Sequence, residues 1–170
     1  MLALAVATSA FAVDTLSFTE ADGRIGFTAE GSLGAFEGRA TDFGGAISPA
    51  TGAGELIVPA GALTTGLGPR DSRMLRWCLE AERFPEIRFT LTGGPLGEGG
   101  GAVLKGRLTV RDVTRDVEIP ATFSWEGPNL RLQGRYEMDL RDWNVPDPAV
   151  VLATMDPTFA VTFDVVARPS

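Results

Sequence analysis

One helical segment interrupts a chain whose apolar side chains otherwise alternate with polar ones. In this segment they repeat with the spacing of one broad helix face: Met74, Leu75, Cys78, Leu79 and Ala81. We expect Asp71 or Ser72 to cap the helix, because a short side-chain oxygen accepts from the first amides. We expect Pro85 to end it, because the residue before a proline leaves helical geometry. An apolar helix face must be buried, so we expect the segment from Met74 to Leu79, Trp77 included, to cover one end or flank of the molecule.

The rest of the chain is predicted to be strands of a single domain. Alternating apolar residues are typical of half-buried strands, and they mark seven or eight segments, at residues 24–30, 36–47, 55–58, 84–91, 102–110, 117–125, 130–140 and 158–166. A doubly wound α/β fold is excluded because it needs many crossover helices. A β-sandwich and a closed antiparallel barrel both remain open. A barrel of about eight strands is either filled by its own side chains or holds one small apolar ligand.

The composition excludes several kinds of site. The 170 residues include no histidine and a single cysteine, and the formal net charge is −7. Without histidine there is no imidazole base for a catalytic triad and no His-containing zinc site. An acidic chain has no general attraction to phosphate backbones, so we expect no nucleic-acid partner. Cys78, on the apolar helix face, is typical of a small buried hydrophobe. We expect no cofactor and no metal ion.

The beginning of the chain resembles the end of an export signal. Residues 1–12 are uncharged and apolar and finish in Ala10-Phe11-Ala12, the small-x-small pattern of a cleavage site. The positively charged start of such a leader is missing, as it would be if the printed chain began inside it. The apolar run is too short to cross a bilayer, which takes about 20 residues. We expect a signal peptide over 1–12, one domain over 13–170, no transmembrane segment and a periplasmic location.

Four stretches of the chain resemble one known family. They are residues 34–38 (GAFEG), Arg70-Asp71, residues 84–89 (FPEIRF) and residues 106–114 (GRLTVRDVT). In this order they are similar to the motifs of the YceI-like family, exported lipocalin-like barrels that bind polyisoprenoid lipids. Many members carry a histidine shortly after the arginine-aspartate pair. This chain has Arg73-Met74 there, so no role of that histidine can be carried over.

The resemblance implies an all-β, lipocalin-like extended antiparallel barrel of about eight strands with one inserted amphipathic α-helix. Its interior would hold a long polyisoprenoid, polyprenyl phosphate or isoprenoid quinone, without catalysis, and the protein would bind or carry this lipid. The sequence leaves open whether the protein forms a homodimer. The residues expected to contact the lipid are Phe27, Phe36, Arg70, Asp71, Arg73, Met74, Trp77, Phe84, Phe89, Leu108, Phe123, Tyr136 and Phe163. Leu91 and Phe159 are further wall candidates. Each apolar one would serve equally well in a solid core.

Some features allow two interpretations. Arg70, Arg73 and Arg76 could meet an anionic head group at the helix start, or form a solvated polar face. Trp77 and Trp143 could close a cavity or simply pack. Two other functions also remain open. An enzyme acting on a hydrophobic substrate would need an acid or base among Asp71, Asp112 and Asp142. A protein-interaction module could use the loop at residues 141–148 as its contact.

Overall fold

The computed structural model describes residues 15–147 and 154–170. The expected signal peptide at residues 1–12 and the end of the 141–148 loop lie outside these ranges. The described residues form eleven strands: β1 (Leu16–Thr19), β2 (Gly23–Ala29), β3 (Phe36–Ala40), β4 (Gly44–Ile47), β5 (Ala53–Pro59), β6 (Leu63–Thr64), β7 (Glu86–Thr92), β8 (Gly100–Val110), β9 (Val113–Glu126), β10 (Asn129–Asp139) and β11 (Thr158–Pro169). A helix, α1 (Gly68–Arg73), continues into a π-turn at Met74–Cys78.

Eight of the strands close into an antiparallel barrel. Neighbours follow the order β1, β4, β5, β7, β8, β9, β10 and β11, and β11 pairs back to β1 through Leu16 with Pro169 and Ser17 with Arg168. Closure removes the exposed edges that these eight strands would leave in a sandwich. The all-β barrel expected from the sequence is confirmed, and the sandwich alternative is wrong.

The barrel is closed more tightly at one end than at the other. β11 pairs with β1 only through its last residues, whereas Ala160 to Val165 pair with β2. β2 pairs in turn with β3, and β3 pairs with β6, so these three strands extend the sheet beyond the barrel. We call the end where β2 finishes and β3 and β11 begin the mouth end, and the opposite one the far end. Around β1, β10 and β11 the far end is filled, because Leu16, Leu130 and Ala167 are only 3%, 0% and 0% exposed.

The helix begins earlier than expected and has a different cap. It starts at Gly68, with Pro69 in the first turn and Leu67 as an N-cap that makes no side-chain hydrogen bond. The expected cap at Asp71 or Ser72 is therefore wrong. The Asp71 carboxylate instead accepts hydrogen bonds from the residues before the helix, Thr64 and Thr65.

The helix also ends earlier than expected, so Pro85 does not end it. The Leu79 amide donates to the Met74 carbonyl, the wider spacing of a π-turn. Glu80 then adopts the left-handed conformation, with φ of 47°. Its carboxylate pairs with Arg111 in the β8–β9 turn, which joins the end of the helical segment to the barrel.

The helical segment buries one face against the barrel core. Cys78 and Leu79 are buried, and Met74 and Leu75 pack against the same core, as expected. Trp77 is 71% exposed, so the expectation that it packs on the barrel is wrong. Successive residues of a helix lie about 100° apart, which places Trp77 away from the face that carries Met74, Leu75, Cys78 and Leu79.

Candidate ligand-binding cavity

A cavity of about 660 Å³ runs between the barrel wall and the helical segment. This volume lies within the range of about 300–1,000 Å³ that is usual for small-molecule sites. Its wall consists of inward side chains on alternate strand positions, such as Phe89 and Leu91 on β7 and Leu104 and Leu108 on β8. The interior is almost entirely apolar. It is suited to a ligand that offers hydrocarbon and few polar groups.

Four phenylalanine rings of this wall lie across glycines of neighbouring strands. The pairs are Phe18 with Gly45, Phe27 with Gly38, Phe89 with Gly106 and Phe163 with Gly134. A Cβ placed on Gly38 would come 2.1 Å from the tip of the Phe27 ring, and one on Gly134 would come 2.4 Å from the tip of the Phe163 ring. The rings can lie along the wall only because the glycines leave room for them. This arrangement keeps bulky side chains out of the lumen.

Exposed apolar residues and two arginines surround the mouth of the cavity. Leu33 is 87% exposed and Leu67 51% exposed, and both line the cavity. Arg70 and Arg73 also line it from α1. The Arg70 guanidinium lies 4.0 Å from the centroid of the Phe36 ring, a distance typical of a cation–π contact. Its Nε donates to the Thr65 hydroxyl at 2.8 Å. Besides these two arginines, Glu55 on β5 is the one other charged residue that the cavity lining contains among the described residues.

The sequence matches the model of the YceI-like domain over residues 11–167. The chain belongs to the YceI-like family. Among curated proteins none matches it significantly.

Solved structures of YceI-like proteins share the fold at low sequence identity. A polyisoprenoid-binding domain from Saccharophagus degradans, implicated in plant cell wall breakdown, is 15% identical, with a TM-score of 0.78 over 94% of this chain and 100% of that one. BcnA from Burkholderia cenocepacia is 16% identical, with a TM-score of 0.77 over 87% and 98%. The Campylobacter jejuni YceI protein is 15% identical, with a TM-score of 0.63 over 78% and 84%.

Most of the residues expected to contact a ligand come together in the cavity of this YceI-like barrel. Those that line it are Phe27, Phe36, Arg70, Arg73, Met74, Phe89, Leu108, Tyr136 and Phe163, together with the further candidates Leu91 and Phe159. Tyr136 is half-buried there, and burial raises the pKa of its phenol, so the hydroxyl stays protonated at neutral pH. Burial likewise raises the pKa of the Cys78 thiol, which lines the cavity as a small apolar group.

Four of the expected contact residues lie outside the cavity. Trp77 faces outward on the π-turn. Phe84 lies beneath two guanidinium groups, with the Arg83 carbon 4.9 Å and the Arg111 carbon 5.6 Å from its ring centroid. Phe123 is buried deeper, towards the far end of the barrel. Asp71, the fourth, is held by threonines beside the mouth.

Other residues of the site carried little signal in the sequence. Leu33 and Leu67 lie in short segments beside glycines, and only the folded chain shows that they meet at the mouth. Leu140 and Val145 line the cavity, the first within a 3₁₀ turn (Leu140–Trp143) and the second just after it, and the turn buries Trp143. The Trp143 indole is 1% exposed and donates to the Leu108 carbonyl at 3.0 Å, so this residue packs within the core and does not line the cavity.

The three aspartates considered for catalysis do not reach the cavity. Asp71, Asp112 and Asp142 are all absent from its lining. Within residues 15–147 and 154–170, no cluster of histidine, cysteine, aspartate or glutamate could hold a metal ion. No helix in the same ranges is long and apolar enough to cross a membrane.

Asp71 gives a pH-dependent test of how the mouth is held together. Burial opposes its ionisation, but hydrogen bonds from the Thr64 hydroxyl at 2.6 Å and the Thr65 amide at 2.7 Å outweigh burial. The pKa of Asp71 therefore lies below its ordinary value. The resulting stabilisation is fully present above the pKa of an unfolded aspartate, about 3.9. It disappears as the pH falls through the lower folded value.

We accordingly expect Asp71→Ala to lower the free energy of unfolding at neutral pH, and the difference from wild type to shrink at acidic pH. Urea unfolding at a series of pH values measures this. Asp112→Ala removes a carboxylate from an exposed turn and serves as the matched control. A constant difference between Asp71→Ala and wild type down to the most acidic pH would contradict the expectation.

Proposed function

We propose that this protein is an exported, non-enzymatic binding or carrier protein that holds a long apolar isoprenoid lipid inside the barrel. The observation that carries the proposal is the hollow, apolar lumen of about 660 Å³, which opens at a mouth ringed by exposed leucines and two arginines. A core that evolved only for stability would fill this space, because an unfilled cavity weakens packing.

An isoprenoid tail matches the chemistry of the lumen. It presents methyl, methylene and alkene carbons and no hydrogen-bonding groups, so a dry apolar wall satisfies it completely. Each CH₂ transferred from water contributes about 0.8 kcal/mol. A few isoprene units therefore supply most of the binding energy without any polar contact. The name of the Saccharophagus degradans neighbour, a polyisoprenoid-binding domain, supports this ligand class.

The head group would remain at the mouth, where the cavity has its arginines. Arg70 and Arg73 would favour a polar or anionic group there, such as a quinone ring or a phosphate.

The proposed periplasmic location rests on the apolar leader-like residues 1–12 alone. Delivery through an export pathway would place the protein where lipids must cross an aqueous space.

The proposed function predicts that the protein purified from its native host carries an isoprenoid. Native mass spectrometry should show an added mass, and organic extraction followed by lipid mass spectrometry should identify it. Adding back the extracted lipid should raise the unfolding midpoint, because a ligand that binds only the folded state stabilises it by about 2.7 kcal/mol at one hundred times its Kd. A protein that never carries or takes up an isoprenoid, although folded, would overturn the proposal.

A further inference from the structure

A second cavity, of about 400 Å³, lies under the glycine-rich loop that joins β7 to β8. The loop spans residues 93–99 and leaves from the far end of the barrel, opposite the mouth. The Leu96 amide donates to the Pro49 carbonyl at 2.9 Å, and the Trp125 indole donates to the Gly97 carbonyl at 3.1 Å. The Leu96 side chain packs against the core. The loop is therefore attached over this part of the wall.

The barrel wall is incomplete beside the second cavity. The ladder between β7 and β8 runs from Arg88 with Thr109 to Leu91 with Gly106. β8 extends beyond this ladder to Gly100, and its residues from there to Lys105 pair with β9 on the other side. β7 ends at Thr92, so this part of β8 has no strand neighbour on its β7 side, and the glycine-rich loop lies beside it.

Leu91 and Leu104 separate the two cavities. Both side chains line the main cavity and both line the second one, and each is 8% exposed. Leu91 on β7 pairs with Gly106 on β8. Leu104 lies two residues from Gly106 and so on the same face of β8, which places both leucines on the inner face of adjacent strands. Gly106 contributes no side chain to this part of the wall. The partition is therefore only as thick as two leucine side chains.

We propose that Leu91 and Leu104 set the longest isoprenoid chain that the protein accepts, and that the second cavity is an extension subsite for the end of a longer chain. This inference rests on the proposed function. A tail that enters at the mouth with its head group outside must point its other end towards the far end. There it meets the two leucines. Beyond them lies a space more than half as large as the main cavity, lined by the polar backbone of glycines as well as by apolar side chains such as Ala102 and Phe123.

The inference is tested by measuring affinity against chain length. Geraniol, farnesol, geranylgeraniol and solanesol share a head group and differ only in the number of isoprene units. For the wild type we expect the affinity to rise with length and then to stop rising. For Leu91→Ala and Leu104→Ala we expect the affinity to keep rising for longer alcohols. Each variant should bind the longest alcohol about tenfold more tightly than the wild type does, because about two further CH₂ groups would be buried.

Two further variants separate this effect from general loosening of the core. Ile87→Ala removes a side chain of the same size class from β7, but at a position that lines the main cavity alone. It should not extend the length limit. Ala102 lines the second cavity alone, so Leu91→Ala combined with Ala102→Leu should return the limit towards that of the wild type.

The outcomes distinguish the two proposals. If the folded wild type binds none of the four alcohols and yields no isoprenoid from its host, the proposed function fails. If the wild type binds but folded Leu91→Ala and Leu104→Ala keep its length limit, the extension subsite is wrong. A Leu→Ala change in a core removes about 2–5 kcal/mol of stability. Circular dichroism is therefore recorded first, and Leu104→Val replaces any variant that does not fold.

Discussion

Replacing Gly38 with valine is expected to abolish most of the isoprenoid binding. The new Cβ would lie 2.1 Å from the Cζ atom of Phe27, so the ring must leave the wall. Phe27 is already stacked on Phe159, with ring centroids 5.7 Å apart and an interplanar angle of 16°. The open direction for both rings is the lumen. We expect affinity to fall by about tenfold or more, since the displaced ring excludes several buried carbons of the ligand.

A matched rescue shows whether the lost affinity comes from lost space. In the double variant Phe27→Ala with Gly38→Val, the valine has no ring to displace, and binding should recover. Gly61→Val serves as the control, because a Cβ on Gly61 meets no atom within 4 Å. Overpacking also destabilises, by about 1–3 kcal/mol, so affinity is measured well below the unfolding temperature. Unchanged affinity in folded Gly38→Val would show that the Phe–Gly pairs do not keep the lumen open.

Replacing Trp143 with alanine is expected to have the largest effect on stability. Its indole is 1% exposed, packs in the barrel core and donates to the Leu108 carbonyl. Truncating a buried tryptophan to alanine lowers the free energy of unfolding by about 3–5 kcal/mol. Urea unfolding followed by circular dichroism measures the change. Trp143→Phe keeps much of the apolar volume but loses the hydrogen bond. Its free energy of unfolding should therefore lie between those of the wild type and Trp143→Ala.

Trp77, the other tryptophan that the sequence allowed to close the cavity, provides the control. Trp77 is 71% exposed, so Trp77→Ala should change the free energy of unfolding by less than about 0.5 kcal/mol. The two substitutions remove the same atoms from positions that the sequence does not distinguish. Equal unfolding midpoints for Trp77→Ala and Trp143→Ala would contradict the placement of Trp143 in the core.

The sequence predicted the strands of the wall better than it predicted the helix. Alternation places Phe89, Leu108, Tyr136 and Phe163 in strands whichever face is buried, because strand side chains always alternate. Each of these residues does line the cavity. The helix boundaries depended on competing local contacts. The Asp71 carboxylate could serve as a cap or accept from the preceding threonines, and periodicity carries no information on which of these wins.

Residues at the ends of the site were the hardest to predict. Phe123 follows the same alternation as Phe163, yet it lies beyond the main cavity. Phe123 pairs with Gly100 of β8 and with Leu132 of β10, and strand spacing does not reveal which of the two cavities its ring lines. Leu33 and Leu67 belong to different connections, and their meeting at the mouth depends on the sheet formed by β2, β3 and β6.

By itself the sequence determined the element types and the excluded chemistry. Its period-two pattern indicated a β domain, and one stretch of helical spacing indicated a single helix. The absence of histidine excluded imidazole-based sites. Spacing and composition are properties of the chain alone, so no tertiary structure was needed for either. Only the tertiary structure decided that the sheet closes and that the barrel is hollow. Closure depends on pairing Leu16 with Pro169, almost the whole chain apart. The lumen depends on cross-strand register, which sets Phe27 over Gly38 and Phe163 over Gly134 and so keeps the rings against the wall.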